Sequence, residues 1–236
     1  MADSTALPFP ASQTLPTTTS AAPRHSLTVR LTHWTATLCF LALLLSGIEI
    51  LISHPRFYWG EAGNVLMPPL FTLPIPASRS GVPTGYNFVL KDQNGWSRSL
   101  HFQAGWLLFF AGTYYLLAGV ISRHFARNLL PTKQHQRSSD AETYNSLQRV
   151  TYLAVVFVLF PLMFWTGLAM SPGFVAAFPF TAASLGGQQS ARTIHFFVTL
   201  SLVVFLIGHV AMVYRAGFVS RTRAMITGRA SSKESA

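Results

Sequence analysis

The chain has 236 residues, half of them hydrophobic and only 10% charged, with a mean hydropathy of +0.36. A soluble domain carries about 25% charged residues, so a water-soluble globular fold is excluded and the long apolar runs read as one membrane-embedded domain. The formal charge of +10 does not mark a nucleic-acid binder, because Lys and Arg flank apolar stretches and form no basic run interleaved with aromatics. Cys39 is the only cysteine, which rules out an internal disulfide and thiolate-ligated clusters. Its expected role is that of a small buried apolar residue.

Residues 1–23 are rich in Ala, Ser, Thr and Pro and lack Lys and Arg. They have neither the cationic start nor the apolar core of a secretory signal, and are expected to form a disordered tail. A first span is predicted over about 31–52, with His33 in its first turn and Glu49 near its far end, where a carboxylate can reach the interface. The connection 53–99 holds six prolines, Pro55, Pro68, Pro69, Pro74, Pro76 and Pro83. These break any long helix, so short interfacial helices and turns are expected, with Phe57, Tyr58, Trp59 and Trp96 at headgroup level.

A second span is predicted over about 100–122, starting at His101. A polar connection follows, and a third span over about 150–170 contains Pro161, which should kink it. The fourth span, about 192–214, is an apolar run bounded by Arg192 and Arg215 with His195 and His209 inside it. Those two histidines are 14 residues apart, close to four helical turns and about 21 Å, so their rings leave nearly one face at two depths. About 20 apolar residues cross a bilayer, and polar groups at membrane depth are costly and usually functional.

Twelve Lys and Arg lie in the N-terminal tail, the middle connection and the C-terminal tail, against five on the other side. Both termini are therefore expected to be cytoplasmic, with the Pro-rich loop outside. With that orientation the span histidines sort by depth. His33 and His209 fall on the inner side, and His101 and His195 on the outer side, each pair drawn from two helices. A six-coordinate haem iron needs two axial ligands on opposite porphyrin faces, which facing helices of a bundle supply. Three of the four histidines follow an arginine by three residues, as Arg30, Arg98 and Arg192. Each arginine lies one turn closer to water, where it can hold a haem propionate or simply snorkel. Gly47, Gly105, Gly112, Gly119, Gly167 and Gly208 suit close approach of a macrocycle or tight helix packing. His25, His54, His124 and His135 have no assigned ligand role, and no thiolate or carboxylate accompanies the four span histidines as a copper or zinc site would favour.

The segments RLTHW (30–34), LHFQAGWLL (100–108), YNSLQRVTY (144–152), PLMFWTGLAM (161–170) and IHFFVTLSLVVFLIGHVAMV (194–213) resemble the four-helix di-haem membrane cytochromes b. That family comprises bacterial cytochrome b561, the hydrogenase b-type subunit and the formate dehydrogenase gamma subunit. The long loop with HPRFYWGE looks most like the thiosulfate-reductase-type subgroup, whose members often serve periplasmic molybdopterin oxidoreductases. The resemblance implies an all-α four-helix membrane bundle over residues 24–223, with tails at 1–23 and 224–236. It implies two haem b groups, the outer on His101 and His195 and the inner on His33 and His209, and quinone as exchangeable substrate. Asn145 matches a family position at the cytoplasmic quinone site, with Gln148 a weaker match; as residues alone, YNSL equally suits a helix cap.

The expected function is a membrane electron-transfer subunit between a periplasmic redox partner and the quinone pool. The alternatives are a self-contained quinone-linked oxidoreductase, such as a superoxide oxidase, and a histidine-relay transporter or proton channel. The last needs ionisable residues at intermediate depth, which the spans lack.

Overall fold

The computed structural model describes residues 25–64, 66–75, 94–123 and 146–228. The expected disordered tail, Asn145, His124 and His135 lie outside the described residues. Helix α1 spans Leu27–Ser53, opened by Ser26, whose side chain accepts from the Val29 backbone N–H at 3.3 Å. This cap satisfies one of the donors that a helix start leaves free. Helix α2 spans Asn94–Ile121. The third span begins as α3 (Ser146–Ala154), widens into a π turn at Val155–Leu159 and continues as α4 (Phe160–Ala169). The π turn is the local answer to Pro161. Proline donates no hydrogen bond and crowds the carbonyl four residues back, and a wider turn relieves that clash. Here the Phe160 N–H bonds Val155, five residues back.

Two short helices follow, α5 (Pro172–Ala177) and α6 (Phe180–Ala183), then α7 (Gln188–Arg215) and α8 (Phe218–Thr227). Among the described residues, four helical segments are long and apolar enough to cross a membrane: Leu27–Ser53, Gly95–Ile121, Val150–Ala169 and Gln188–Arg215. The architecture is that of an all-α membrane four-helix bundle, and burial agrees. Leu38, Leu117 and Val204 are exposed, while Ser46, Thr166 and Thr193 are buried. This inversion follows from a lipid solvent, in which apolar side chains gain nothing by hiding and small polar residues let helices pack closely.

The bundle is built as two helix pairs. Helix α1 packs along α2, and α4 packs along α7, while the backbones of the two pairs barely approach one another. Side chains fill the seam at mid-depth, where Phe40 of α1 packs on a cluster of Val155, Val198 and Leu202. Cys39 is buried as expected.

The described part of the outer connection contains a two-stranded antiparallel pairing in place of the expected short helices. Strands β1 (Arg56–Phe57) and β2 (Phe71–Thr72) pair in register Arg56 with Thr72 and Phe57 with Phe71. Phe57 and Tyr58 are buried rather than set at headgroup level, while Trp59 and Trp96 are exposed. Phe57 stacks on Phe71 at 4.5 Å and against Phe196 of α7 at 4.7 Å. The aromatic payload thus goes into attaching the loop to the bundle. Glu49 is also buried, with Oε2 lacking a hydrogen-bond partner, although its position near the helix end pointed to the interface. The tail expected from residue 224 onward begins inside α8, whose end is held against α1.

Candidate functional site

Two histidine pairs face each other across the seam between the helix pairs. His33 (α1) and His209 (α7) have ring centroids 6.4 Å apart, and His101 (α2) and His195 (α7) have theirs 6.3 Å apart. Each pair takes one ring from each helix pair, and α7 contributes to both. These separations exceed ring-to-ring contact. Among the described residues no group of three or more His, Cys, Asp or Glu comes together. The tetrahedral all-protein sites favoured by zinc are therefore not built from them.

The two pairs are oriented differently. In the His101–His195 pair, named outer after the expected orientation as the other is named inner, Nδ1 of His101 lies 2.9 Å from Ser46 Oγ, and Nδ1 of His195 lies 2.8 Å from Thr166 Oγ1. In the inner pair, His33 meets Trp34 edge-on at 5.3 Å, and His209 stacks on Phe205 at 5.9 Å. Nδ1 of His33 is buried without a hydrogen-bond partner.

Beside the outer pair, the segment after α1 is clamped onto the start of α7. Arg192 donates to the His54 carbonyl and lies over the Phe57 ring at 5.0 Å. Thr193 Oγ1 donates to the Tyr58 carbonyl at 2.8 Å, and the Gly60 carbonyl accepts from Gln189 N–H at 3.0 Å and Ser190 N–H at 3.2 Å. Glu61 accepts from Gln188 N–H at 3.3 Å. A carboxylate and a carbonyl thus satisfy the free donors of the α7 N-terminus, which also favours negative charge. Gly187 is required here. Its φ is +111°, and a Cβ would come within 2.4 Å of the Gly60 backbone. Burial, then the Arg192 guanidinium, lowers the pKa of His54 from 6.5 to about 4.

At the inner end, Arg30 donates to the Ile226 carbonyl and Trp34 Nε1 to the Met225 carbonyl at 3.3 Å. Both close the C-terminus of α8, where cations and donors are favoured. The structure therefore engages two of the three expected propionate partners, Arg30 and Arg192, in protein–protein bonds, while Arg98 is exposed at the outer end of α2. Gly47 and Gly167 do not border open space. A Cβ on either would touch Cε1 of His101 at 3.5 Å or of His195 at 3.8 Å. Gly105, Gly112 and Gly208 have nothing within 4 Å of a built Cβ. Asn145 falls outside the described residues, and Gln148 lies in α3.

Ser46 and Thr166 escaped the sequence reading. A hydroxyl inside an apolar span commonly satisfies itself on its own helix carbonyl, so it stands out little. A signal was present, since Ser46 follows His33 by 13 residues, which puts it about 20 Å along α1, at the depth of the other histidine pair.

The model of the prokaryotic cytochrome b561 family matches residues 24–228. The chain belongs to that family. It is a multi-pass, b-type haem-binding membrane electron-transfer protein. It is 30% identical over 223 residues, covering 86% of this chain and 96% of the relative, to a protein of Azospira oryzae that carries the name protein-methionine-sulfoxide reductase subunit YedZ1. No solved structure matches.

Proposed function

We propose that this cytochrome b561 carries two b haems between its helix pairs and passes electrons between quinol and a redox partner on the outer face. The observation that carries the reading is the spacing of the histidine rings. The centroids lie 6.3 and 6.4 Å apart, a separation that would let one haem iron take an imidazole from each helix pair. His101 and His195 would hold the outer haem, and His33 and His209 the inner one.

Bound haem supplies a reversible one-electron couple. The chain's part is to hold the axial imidazoles, bury the macrocycles and keep both sites on α7. Their separation of 14 residues along that helix stacks the sites across the membrane, about 21 Å from ligand to ligand. The orientation with both termini in the cytoplasm of a bacterial inner membrane rests on the Lys and Arg distribution. It puts the clamp of residues 54–61 at the outer surface beside His101 and His195, where a periplasmic partner would dock. The domain of residues 24–223 extends in this reading to the end of α8, because Arg30 and Trp34 hold it. The arginines act at these two ends as anchors of the protein chain, and Arg98 remains available to a propionate.

The name of the Azospira relative favours a partner that reduces oxidised methionine, within the broader class of molybdopterin oxidoreductases. Electrons would then run outward: two electrons and two protons convert a sulfoxide to a thioether and water, with quinol as the donor. Asn145, next to α3, is the candidate for binding the quinone headgroup on the inner side.

The test is reconstitution in lipid vesicles. Added quinol should reduce the b-type absorbance, and Asn145→Leu should slow that reduction about tenfold or more with the spectrum unchanged. Reduced protein should be reoxidised by a periplasmic sulfoxide reductase and its substrate. A chain that takes up haem but is not reduced by any quinol would contradict the quinone arm. A chain that is reduced by superoxide, with release of oxygen, and reoxidised by quinone, without any protein partner, would contradict the partner arm.

A further inference from the structure

We propose that Ser46 and Thr166 are positioning residues for the outer haem: their hydroxyls fix the tautomer of His101 and His195 and hold that haem's potential down. This rests on the reading that His101 and His195 are its axial ligands.

The same local arrangement occurs on two different helices. Ser46 precedes Gly47 on α1, and Thr166 precedes Gly167 on α4. Each hydroxyl contacts a histidine on the helix packed beside it, α2 for Ser46 and α7 for Thr166. Each also contacts the carbonyls of its own preceding turn. Ser46 Oγ lies 2.7 Å from Ala42 O and 3.2 Å from Leu43 O, and Thr166 Oγ1 lies 2.8 Å from Leu162 O and 2.9 Å from Met163 O. Both hydroxyl-bearing residues are fully buried, so water does not supply a missing partner.

A hydroxyl has one proton. If that proton went to the imidazole, the hydroxyl and carbonyl oxygens would be left 2.7–2.8 Å apart with no proton between them, which is repulsive. Donation to the carbonyl satisfies every contact only if Nδ1–H of each histidine donates to the hydroxyl oxygen. The proton therefore sits on Nδ1 in both rings, and the Nε2 lone pair is left for iron. A hydrogen bond at the non-ligating nitrogen fixes ring orientation and makes the ligand more basic. Donation onward to the carbonyl polarises the hydroxyl and strengthens it as an acceptor. More basic ligands favour the oxidised iron, so both hydroxyls lower the outer potential.

The following glycines contribute less. A Cβ at Gly47 or Gly167 would make ordinary contact with its histidine, and the Leu43 and Met163 carbonyls accept beside the hydroxyls at His101 and His195. The inner pair has no equivalent at His33, whose buried Nδ1 is without a partner. The arrangement thus distinguishes the two haems chemically.

The test is a spectroelectrochemical titration of the purified, haem-loaded full chain. The outer component is identified as the one missing from His195→Ala. In Ser46→Ala and in Thr166→Val the outer reduced-to-oxidised ratio at fixed potential should rise about threefold each, a modest share of one hydrogen bond's worth; a tenfold change would be 59 mV for a one-electron couple. The inner component should stay where it is, and Ser46→Thr and Thr166→Ser should behave as wild type. An unchanged or lowered outer potential in the double variant Ser46→Ala, Thr166→Val overturns the proposal. So does an equal shift of both components, which would report general loosening. Should the hydroxyl-free variants lose the outer haem, the hydroxyl-retaining pair decides: haem kept there supports the assignment, and haem lost there as well overturns it. Failure of the haem reading itself is visible earlier, as a wild-type protein without two bis-histidine haems.

Discussion

The outer and inner histidine pairs have almost the same spacing and are held by different means. In the first, each ring is tied through Nδ1 to a buried hydroxyl, and the start of α7 is clamped by residues 54–61 through backbone carbonyls, Glu61 and Arg192. In the second, the rings are oriented by aromatic neighbours, Trp34 and Phe205, and the nearby polar groups serve the docking of α8. Hydrogen bonds fix direction and tune electronics, whereas ring contacts fix position and leave the electronics of the ligand largely alone. One bundle thus carries two histidine pairs of one spacing in two chemical environments, which under the proposed function would give two haems different potentials.

The comparison can be broken hardest by removing a ligand. His195→Ala should cut the haem content of the purified protein from two per chain to one and leave the inner spectrum intact, and His33→Ala should do the converse. Loss of both haems from either variant, read by pyridine haemochrome, would mean that the two sites are not independent.

Next in size is the outer clamp. Arg192→Ala removes a charged hydrogen bond to the His54 carbonyl and should cost about 1.5–3 kcal/mol. The outer haem should become easier to extract while the inner one holds. If Arg192→Ala changed the outer potential with no loss of thermal stability, a propionate role would describe it better than an anchor. Gly187→Ala should be comparably damaging, because the φ of +111° is strained for alanine and its Cβ meets the Gly60 backbone; a melting curve unchanged from wild type would contradict the clamp.

At the inner end, Trp34→Phe keeps the ring beside His33 and removes one hydrogen bond to the Met225 carbonyl, about 1 kcal/mol. Proteolysis should then release the α8 segment faster, with both haems retained.

The remaining effect is on pH. The folded protein lowers His54 to about 4 from 6.5, so the unfolded chain binds this proton first as pH falls. Stability should be fully present above about pH 6.5 and decline through the window down to pH 4, where both states are protonated. The melting temperature should fall by a few degrees across that window, and His54→Gln should flatten the slope; an identical slope in the variant would assign the decline to other groups.

Much of this was legible from the sequence because a bilayer imposes simple rules. Spans announce themselves by length and composition, and histidines inside them stand out against an apolar background. The pairing of His33 with His209 and of His101 with His195 followed from depth alone. The fate of the arginines did not. The spacing of Arg192 to His195 is the same whether the guanidinium reaches a propionate or a backbone carbonyl, and the carbonyl it meets belongs to a residue 138 positions away. Phe57 and Tyr58 were misplaced for a related reason. Aromatics beside a membrane suit the headgroup layer, and only the β1–β2 pairing and Phe196 turn them inward. Ser46 and Thr166 carried too little signal, since a hydroxyl in an apolar helix is ordinarily content with its own backbone. Glu49 remains the buried group for which the structure offers no partner at Oε2.

Two haems held between the helix pairs on His33, His209, His101 and His195 are the core of the proposed function. The most direct measurement is quantitation of haem against protein in purified material from haem-replete cells, combined with low-temperature electron paramagnetic resonance. Two haem b per chain, both low-spin with bis-histidine signals, is the predicted result. A folded protein with one haem, or with a high-spin signal from a five-coordinate iron, would contradict it.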